Sequence, residues 1–384
     1  MKTMTRKYRV LLLGMIGVGI YTSSLAQVPQ APCTKEDVVN ISTNWTTPLV
    51  KSSTAQSQRQ QKILQILKAA YPKPTGLVPN VHGFLPVDGD PGNEYIDQPK
   101  GSPLRYSVTT YFHTLLCDAK KGTTYRDGET HTWIIAYINS LTTFLVPAHF
   151  KLPNGQPLYF MPRVVGQLKG YPVYDTQKWK DIPDESVVLA VGDKLPVRPV
   201  SRDEVLSVLT AEVNMQMAEL EAAQIKLAEA LKESLAEADK MSFKTPEERE
   251  KYKQGNIREV ENGKSKSTQM IASFRQRLQA IEQLRASMSP ADRAKQAVLN
   301  DIRDLVPIKG KAISFEEQEK TGRALVVRDL TWGNKKQAPH SIQLIQLLMH
   351  HQTDARHVAK KEMIRQFKEN IDVEALRKLL EVGS

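Results

Sequence analysis

The chain has 384 residues, of which 40% are hydrophobic and 25% are charged, and its formal net charge is +11. One globular core accommodates about 100–200 residues, so this length predicts at least two domains. The lysines and arginines are scattered and nowhere form a run of five or more basic residues. This scatter argues against a basic arm that binds nucleic acid and indicates a modestly basic globular protein.

The first 26 residues have the pattern of a signal peptide. Four basic residues precede an uncharged apolar run from Val10 to Ile20, and Ser24 and Ala26 are the small residues that a cleavage site needs. Cleavage before Gln27 lowers the formal net charge from +11 to +7. A retained membrane anchor needs about 20 apolar residues, more than this run offers. We therefore expect an exported protein of bacterial type, periplasmic or extracellular, that does not span the membrane after cleavage.

The two cysteines, Cys33 and Cys117, both lie in the N-terminal third of the chain. In an exported protein an even number of cysteines predicts a disulfide, and closing a loop of this length stabilises a fold by roughly 4–5 kcal/mol in the chain-entropy model. The alternative is a pair of buried free thiols. A metal site is not expected, because the cysteines are far apart and form no Cys-x-x-Cys motif.

The N-terminal half predicts a short helix followed by a β-rich domain. Residues 27–71 form an extended lead-in with an amphipathic helix over 58–70, which a Tyr-Pro-Lys-Pro sequence ends. Residues 72–200 predict a small, mostly antiparallel sheet, preceded by an irregular loop rich in Pro and Gly over 72–103. The strand candidates, chosen by alternation or by β-branched and aromatic content, are 104–116, 131–146, 158–165 and 186–191.

The composition changes at Ser201, which forms a capping box with Glu204 and begins a long helix. Residues 201–300 predict two long helices in an antiparallel hairpin, because apolar residues recur at helical spacing. A polar segment over 241–267 joins them, and Thr245 as cap with Pro246 in the first turn predicts a short helix within it. The first stripe is Leu206, Leu209, Val213, Met217, Leu220, Leu227, Leu231 and Leu235. The second is Met270, Phe274, Leu278, Ile281, Leu284 and Met288. Equal numbers of acidic and basic residues, 16 of each, favour a solvated hairpin.

Residues 301–384 predict a mixed, mainly helical region. A strand is expected at 324–329, and helices are expected near 341–351, 355–367 and 372–381. The whole pattern predicts an α+β fold. A small, mostly antiparallel β-rich N-terminal domain is followed by a helical domain with a long antiparallel helical hairpin.

The densest acidic loop, residues 88–97, has the closely spaced oxygen ligands that Ca²⁺ prefers. If Asp88 is the first ligand, the twelfth position is Pro99 rather than the glutamate that an EF-hand requires. We expect an ordinary polar loop, with cation binding as the alternative.

Histidines form two further groups. His350 and His357 are seven residues apart and about 10 Å apart along a helix, whereas a helical metal site uses positions i and i+4; with His351 they are expected to be solvated or capping residues. His113 and His131 fall on different strand candidates and can meet across a sheet. A nucleophilic pair of His113 with Cys117 would need a free thiol, which the disulfide prediction denies.

Aromatic residues of the β region are another candidate group. Trp133, Trp179 and Tyr171 can line a ligand groove, but aromatic residues in β regions are more often core residues. We expect them in the core.

No common catalytic motif occurs, whether a nucleophile elbow, a His-Glu-x-x-His zinc motif or a phosphate-binding glycine loop. No catalytic, cofactor or metal residue is therefore predicted. The sequence predicts an exported non-catalytic binding protein whose hairpin is either an internal core or a surface for a partner or for self-association. The alternatives are a secreted hydrolase with a site assembled from dispersed residues, and an envelope binder of nucleic acid or anionic surfaces. Only the net charge supports this last class, so no nucleic acid is expected as a partner.

Overall fold

The computed structural model describes residues 38–46, 54–84, 103–118, 120–128, 132–141, 143–176, 184–307, 310–332, 337–351 and 358–381. These residues form two antiparallel sheets and a set of helices, which confirms the α+β class. The predicted signal peptide, Cys33, the acidic loop 88–97, His131, Trp179 and His357 lie outside the described residues.

The larger sheet has eight strands, and each is antiparallel to its neighbours. In spatial order they are β1 (Leu77–Phe84), β2 (Tyr106–Asp118), β4 (Trp133–Ile138), β13 (Leu344–His350), β9 (Asp184–Ala190), β8 (Tyr171–Asp175) and β7 (Arg163–Leu168), with β3 (Thr123–Arg126) paired to β2. The strand β13 comes from the C-terminal region, yet it lies between β4 and β9. The N-terminal and C-terminal regions therefore share one sheet.

Three helices pack on one face of this sheet: α1 (Ala55–Ala70), α6 (Val358–Asn370) and α7 (Val373–Arg377). Ile63, Phe112 and Phe367 are completely buried between them and the sheet. The predicted amphipathic helix is confirmed as α1. It begins three residues before the predicted start because the Thr54 side chain accepts a hydrogen bond from the Ser57 amide and caps it.

The smaller sheet has five strands. They are β10 (Val197–Pro199), β12 (Arg323–Arg328), β6 (Pro157–Phe160) and β5 (Val146–Lys151), with β11 (Val298–Leu299) paired to β12. A second core joins this sheet to the base of the hairpin and includes Phe315 of α5 (Phe315–Glu319). A third cluster, with Phe144, Tyr159 and Leu344 at its centre, lies between the two sheets.

The hairpin consists of α2 (Arg202–Lys240) and α3 (Pro246–Ser287), followed by the short helix α4 (Pro290–Ala294). The predicted capping box is confirmed, since Ser201 and Glu204 make both of its hydrogen bonds. The helix start predicted at Thr245 and Pro246 is confirmed, since Thr245 caps α3 and Pro246 occupies its first turn. The helix is not short, however: α3 includes most of the polar segment predicted as a connection over 241–267, because that segment consists largely of charged helix formers.

Three other predictions are wrong. The segment 341–351 contains strand β13 instead of a helix, because a short apolar run carries no period that separates a buried strand from a buried helix. The predicted loop 72–103 contains β1, which follows the turn at Gly76 (φ +65°). The candidate 131–146 is divided at Asn139 (φ 54°) between the strands β4 and β5.

Within the ranges that the structure describes, none of the helices combines the length and apolar content that crossing a membrane requires.

Candidate functional site

His113 lies buried on β2, where its Nδ1 is 3.0 Å from the carbonyl oxygen of Asp127. Burial lowers the pKa of His113, and the nearby charge of Arg126 lowers it further. The neutral imidazole of His113 is thus hydrogen-bonded to the backbone directly after β3, and this bond connects β2 to the end of β3. Its predicted partner His131 lies outside the described residues, so their contact stays a prediction.

Cys117 is half-buried near the end of β2 and packs in a small cluster around Val38 and Leu115. Cys33 precedes Val38 by five residues and lies outside the described ranges. The predicted disulfide therefore stays a prediction, although Val38 brings the lead-in segment next to Cys117.

His350 is the histidine with the most specific surroundings. It lies on β13 with 1% of its surface exposed, and its Nδ1 is hydrogen-bonded to the Asp184 carboxylate of β9. The Trp133 indole of β4 stacks on the imidazole, with ring centroids 3.7 Å apart and planes inclined by 8°. Tyr111 of β2 meets Trp133 edge to face at 6.1 Å. Four side chains thus lie in register across the neighbouring strands β9, β13, β4 and β2. We call this set the aromatic row: Asp184, His350, Trp133 and Tyr111.

A histidine paired with an aspartate can act as a general base, provided that its second nitrogen reaches a substrate or a nucleophile. The His350 Nε2 is buried and has no hydrogen-bond partner among the described residues. Trp133 covers one face of the imidazole, and the aromatic row favours a role in holding four strands in register. The row was not predicted from the sequence, because the segment that holds His350 was expected to be a helix and is the strand β13. On a strand, Gln346 and His350 lie on the same face, which is the signal that points to a buried polar position there.

Trp133, Tyr171 and Trp179, expected in the core with a ligand groove as the alternative, are only partly described by the structure. Trp133 belongs to the aromatic row, and Trp179 lies outside the described ranges. Tyr171 is half-buried on β8 and donates a hydrogen bond of 2.5 Å to Glu374 of α7, so it attaches that helix to the sheet.

The base of the hairpin packs on the rest of the fold, which consists of the two sheets and their other helices and is called the body below. Apart from Ala238, the buried residues of α2 lie in its first three turns. They are Arg202, Val205, Leu206, Val208, Leu209 and Val213. The buried residues of α3 lie in its C-terminal half: Ile271, Phe274, Arg277 and Ile281. Met270, which was predicted in the apolar stripe of the second helix, is instead exposed. Its neighbour Ile271 occupies the seam, the line of contact between α2 and α3. In the rest of the hairpin, residues 214–270, Ala238 is the one buried residue, and the others are half-buried or exposed.

A second apolar stripe runs along the outer side of α2. Met215, Ala218, Ala222 and Ile225 follow one another at spacings of three, four and three residues, and all four are exposed. This α2 stripe lies opposite the seam with α3, because the seam positions are offset by about half a turn. The exposed fractions of Met215 and Ile225 are 56% and 63%.

The α2 stripe continues the core of the body. Val208, seven residues before Met215 and on the same side of the helix, is buried in the second core. The stripe therefore starts where the body ends and covers about 15 Å of helix at 1.5 Å per residue. The sequence contained this pattern, but the alanines made it inconspicuous beside the leucine-rich seam.

The exposed residues beside the α2 stripe are mainly acidic. Glu219, Glu221 and Glu229 flank it, and Lys226 is the basic residue among them. An apolar stripe with acidic borders favours a surface that carries basic residues around an apolar centre.

In the described part of the chain, no three His, Cys, Asp or Glu side chains are grouped so that they could hold a metal ion. Comparison of the chain with protein-family models, with curated proteins and with solved structures found no match.

Proposed function

We propose that the mature protein is an exported, non-catalytic binding protein that recognises a partner protein through the α2 stripe. The observation that carries this proposal is the exposure of four apolar residues at helical spacing on the side of α2 that faces away from α3. Exposed apolar residues that continue a buried core are typical of a surface that a partner covers.

The partner that fits this surface is an amphipathic helix with lysines or arginines beside its apolar side chains. A straight stripe of small and medium-sized residues suits helix–helix packing, since the alanines allow close approach. The acidic borders favour a basic partner. A second copy of the chain fits less well, because an antiparallel arrangement about the stripe's centre brings Glu219 beside Glu219 of the other copy, and Glu221 beside Glu221.

The test uses the mature protein and two synthetic helical peptides with the same leucine stripe, flanked by lysines in one and by glutamates in the other. We expect tighter binding of the lysine-flanked peptide. The double variant Met215→Lys/Ile225→Lys should raise its dissociation constant at least about tenfold, which corresponds to about 1.4 kcal/mol. The matched control is Met270→Lys, a methionine on α3 that is also exposed, at 49%. Titration by fluorescence anisotropy measures all four affinities.

Three results would contradict the proposal. The first is equal binding of both peptides, and the second is equal affinity in the double variant. The third is turnover of esters, glycosides, peptides or phosphoesters by residues 27–384 that is lost on a single change such as His131→Ala or His350→Asn. A dimer in sedimentation experiments that the double variant abolishes would replace the basic partner with a second copy.

A further inference from the structure

The two outer strands of the larger sheet, β1 and β7, differ at their free edges. The chain itself covers the edge of β1: the Thr46 amide donates to the carbonyl oxygen of Pro79 at 3.2 Å, and the Val81 amide donates to the Thr46 hydroxyl at 3.1 Å. The strand β7 pairs with β8 on one side, and no strand of the described residues pairs with its other side. The outer backbone groups of β7 can therefore pair with an added strand.

The side chains of β7 are exposed along almost its whole length. Five of its six residues are exposed, and Leu168 is the buried one. The exposed fractions of Val164 and Val165 are 59% and 56%. Because β-branched side chains pack well against those of a neighbouring strand, these valines offer apolar contacts beside the open backbone.

The turn between β7 and β8 determines which backbone groups point outward. Lys169 and Gly170 have φ values of 51° and 87°, as in a two-residue type I′ turn. Such a turn is closed by a pair of residues that exchange both hydrogen bonds, here Leu168 and Tyr171. Gln167, one residue before this pair, therefore directs its amide and its carbonyl group away from β8, towards the free edge.

A bulge limits the kind of strand that can pair with β7. The register between β7 and β8 shifts between Val164 and Gly166. A bulge bends and twists an edge strand, which disfavours pairing with a long, flat strand. A short extended segment of about six residues, the length of β7, avoids this restriction.

The charges on β7 and its turn are positive. Residues 163–170 contain Arg163 and Lys169 and no acidic residue. Asp175 of β8 lies opposite Arg163, on the inner side of the strand. Lys169 forms no ion pair within the described ranges and donates a hydrogen bond of 2.6 Å to the carbonyl oxygen of Glu369. Acidic residues beside an added strand would therefore be attracted to both ends of β7.

We propose that the free edge of β7 binds a short extended segment of a partner protein, which joins the larger sheet as an additional strand and carries acidic residues at both ends. Backbone hydrogen bonds supply affinity in such strand addition, and side chains and flanking charges supply specificity. A second copy of the chain fits less well, because antiparallel pairing of two β7 strands about Gly166 brings Arg163 beside Lys169 of the other copy. This site is independent of the α2 stripe.

The test uses the mature protein and two synthetic peptides with the same alternating valine–threonine centre, flanked by glutamates in one and by lysines in the other. Calorimetry should show tighter binding of the glutamate-flanked peptide. A third peptide keeps the glutamates and the side chains but carries N-methyl groups on the amides of its centre. It lacks the donors that strand addition needs, so its dissociation constant should be at least about tenfold higher, or about 1.4 kcal/mol.

Variants of β7 locate the site. Gln167→Pro removes the outward amide at an edge position where proline is tolerated, so it should raise the dissociation constant at least about tenfold. The matched control is Gln167→Ala, which keeps the amide and should bind like the wild type. Lys169→Gln should weaken binding and reduce its salt dependence, whereas Lys151→Gln, at an exposed lysine of the edge strand β5, should change neither.

Equal binding of the glutamate-flanked and lysine-flanked peptides, or of the methylated and unmethylated peptides, would overturn the proposal. Both comparisons use the wild-type chain, so they decide the question even if Gln167→Pro does not fold. Equal affinity in a folded Gln167→Pro variant would also overturn it. A dimer in sedimentation experiments that Gln167→Pro abolishes would replace the acidic segment with a second copy.

Discussion

The side chain of Asn139 makes four hydrogen bonds to backbone groups of distant segments. It is buried at the end of β4 with φ 54°, a left-handed conformation that Asn tolerates better than most residues. Its Nδ2 donates to the carbonyl oxygens of Leu104 (3.0 Å) and Ser341 (2.7 Å). Its Oδ1 accepts from the amides of Gln343 (2.9 Å) and Leu344 (3.1 Å). One amide group thus joins β4 to the segments that lead into β2 and β13.

We expect Asn139→Gly to lower the free energy of unfolding by about 1–3 kcal/mol, because glycine keeps the backbone conformation but leaves buried backbone groups without partners. Urea denaturation measures the difference. The matched control is His149→Gly, which also removes a side chain at positive φ (60°) but at an exposed position. The control should be neutral or slightly stabilising. Equal stability of Asn139→Gly and the wild type would show that the four hydrogen bonds contribute little.

At the scale of elements, the seam of the hairpin changes character along its length. Near the body it is apolar, and Leu220 of α2 and Leu278 of α3 pack against the second core. Further out it is partly polar, since Gln224 donates to Thr268 (3.3 Å) and Asn256 donates to Ser234 (2.8 Å). The apolar part anchors the hairpin, and the polar part holds the two helices in register.

We expect Leu220→Asp or Leu278→Asp to lower the free energy of unfolding by roughly 3 kcal/mol or more, because each places a charge without a partner in the seam. The matched control is Ile225→Asp, the same kind of change on the exposed side of α2, which should stay within about 0.5 kcal/mol of the wild type. Chemical denaturation followed by circular dichroism measures all three. If both leucine variants unfold like the wild type, the seam does not run through these residues.

At the scale of the whole molecule, the chain returns to its first sheet after building the second. The strands β5, β6 and β10 join the smaller sheet before the hairpin, β12 joins it after the hairpin, and β13 then returns to the middle of the larger sheet. The termini of the described fold are therefore tied into one sheet with its helices, and the predicted disulfide would tie the lead-in segment to the same sheet.

We expect the exported protein to begin at Gln27 and to carry a Cys33–Cys117 disulfide. From Val38, packed near Cys117, five residues of chain reach about 17 Å, enough to bring Cys33 to its partner. Intact mass spectrometry without reductant should give the mass of residues 27–384 less two hydrogen atoms. Replacing both cysteines by serine should lower stability by about 2–5 kcal/mol. Alkylation of both thiols without prior reduction would contradict the pairing.

Elements with local signals could be predicted from the amino-acid sequence alone. The capping box at Ser201, the helix α1, the long hairpin and the strands β2, β9 and β12 follow from caps and periodicity within a few residues. Such signals act over one or two turns of chain, so they survive without knowledge of the rest of the molecule.

Which helices and strands are neighbours depends on contacts between segments that are far apart in the sequence. All seven residues of β13 are buried, so their pattern has no polar face, and pairing with β4 and β9 selected a strand where a helix was predicted. Asn139 donates hydrogen bonds to partners about 35 and 200 positions away in the sequence. These contacts depend on burying apolar surface from distant segments at once, a cooperative requirement that no local stretch of sequence contains.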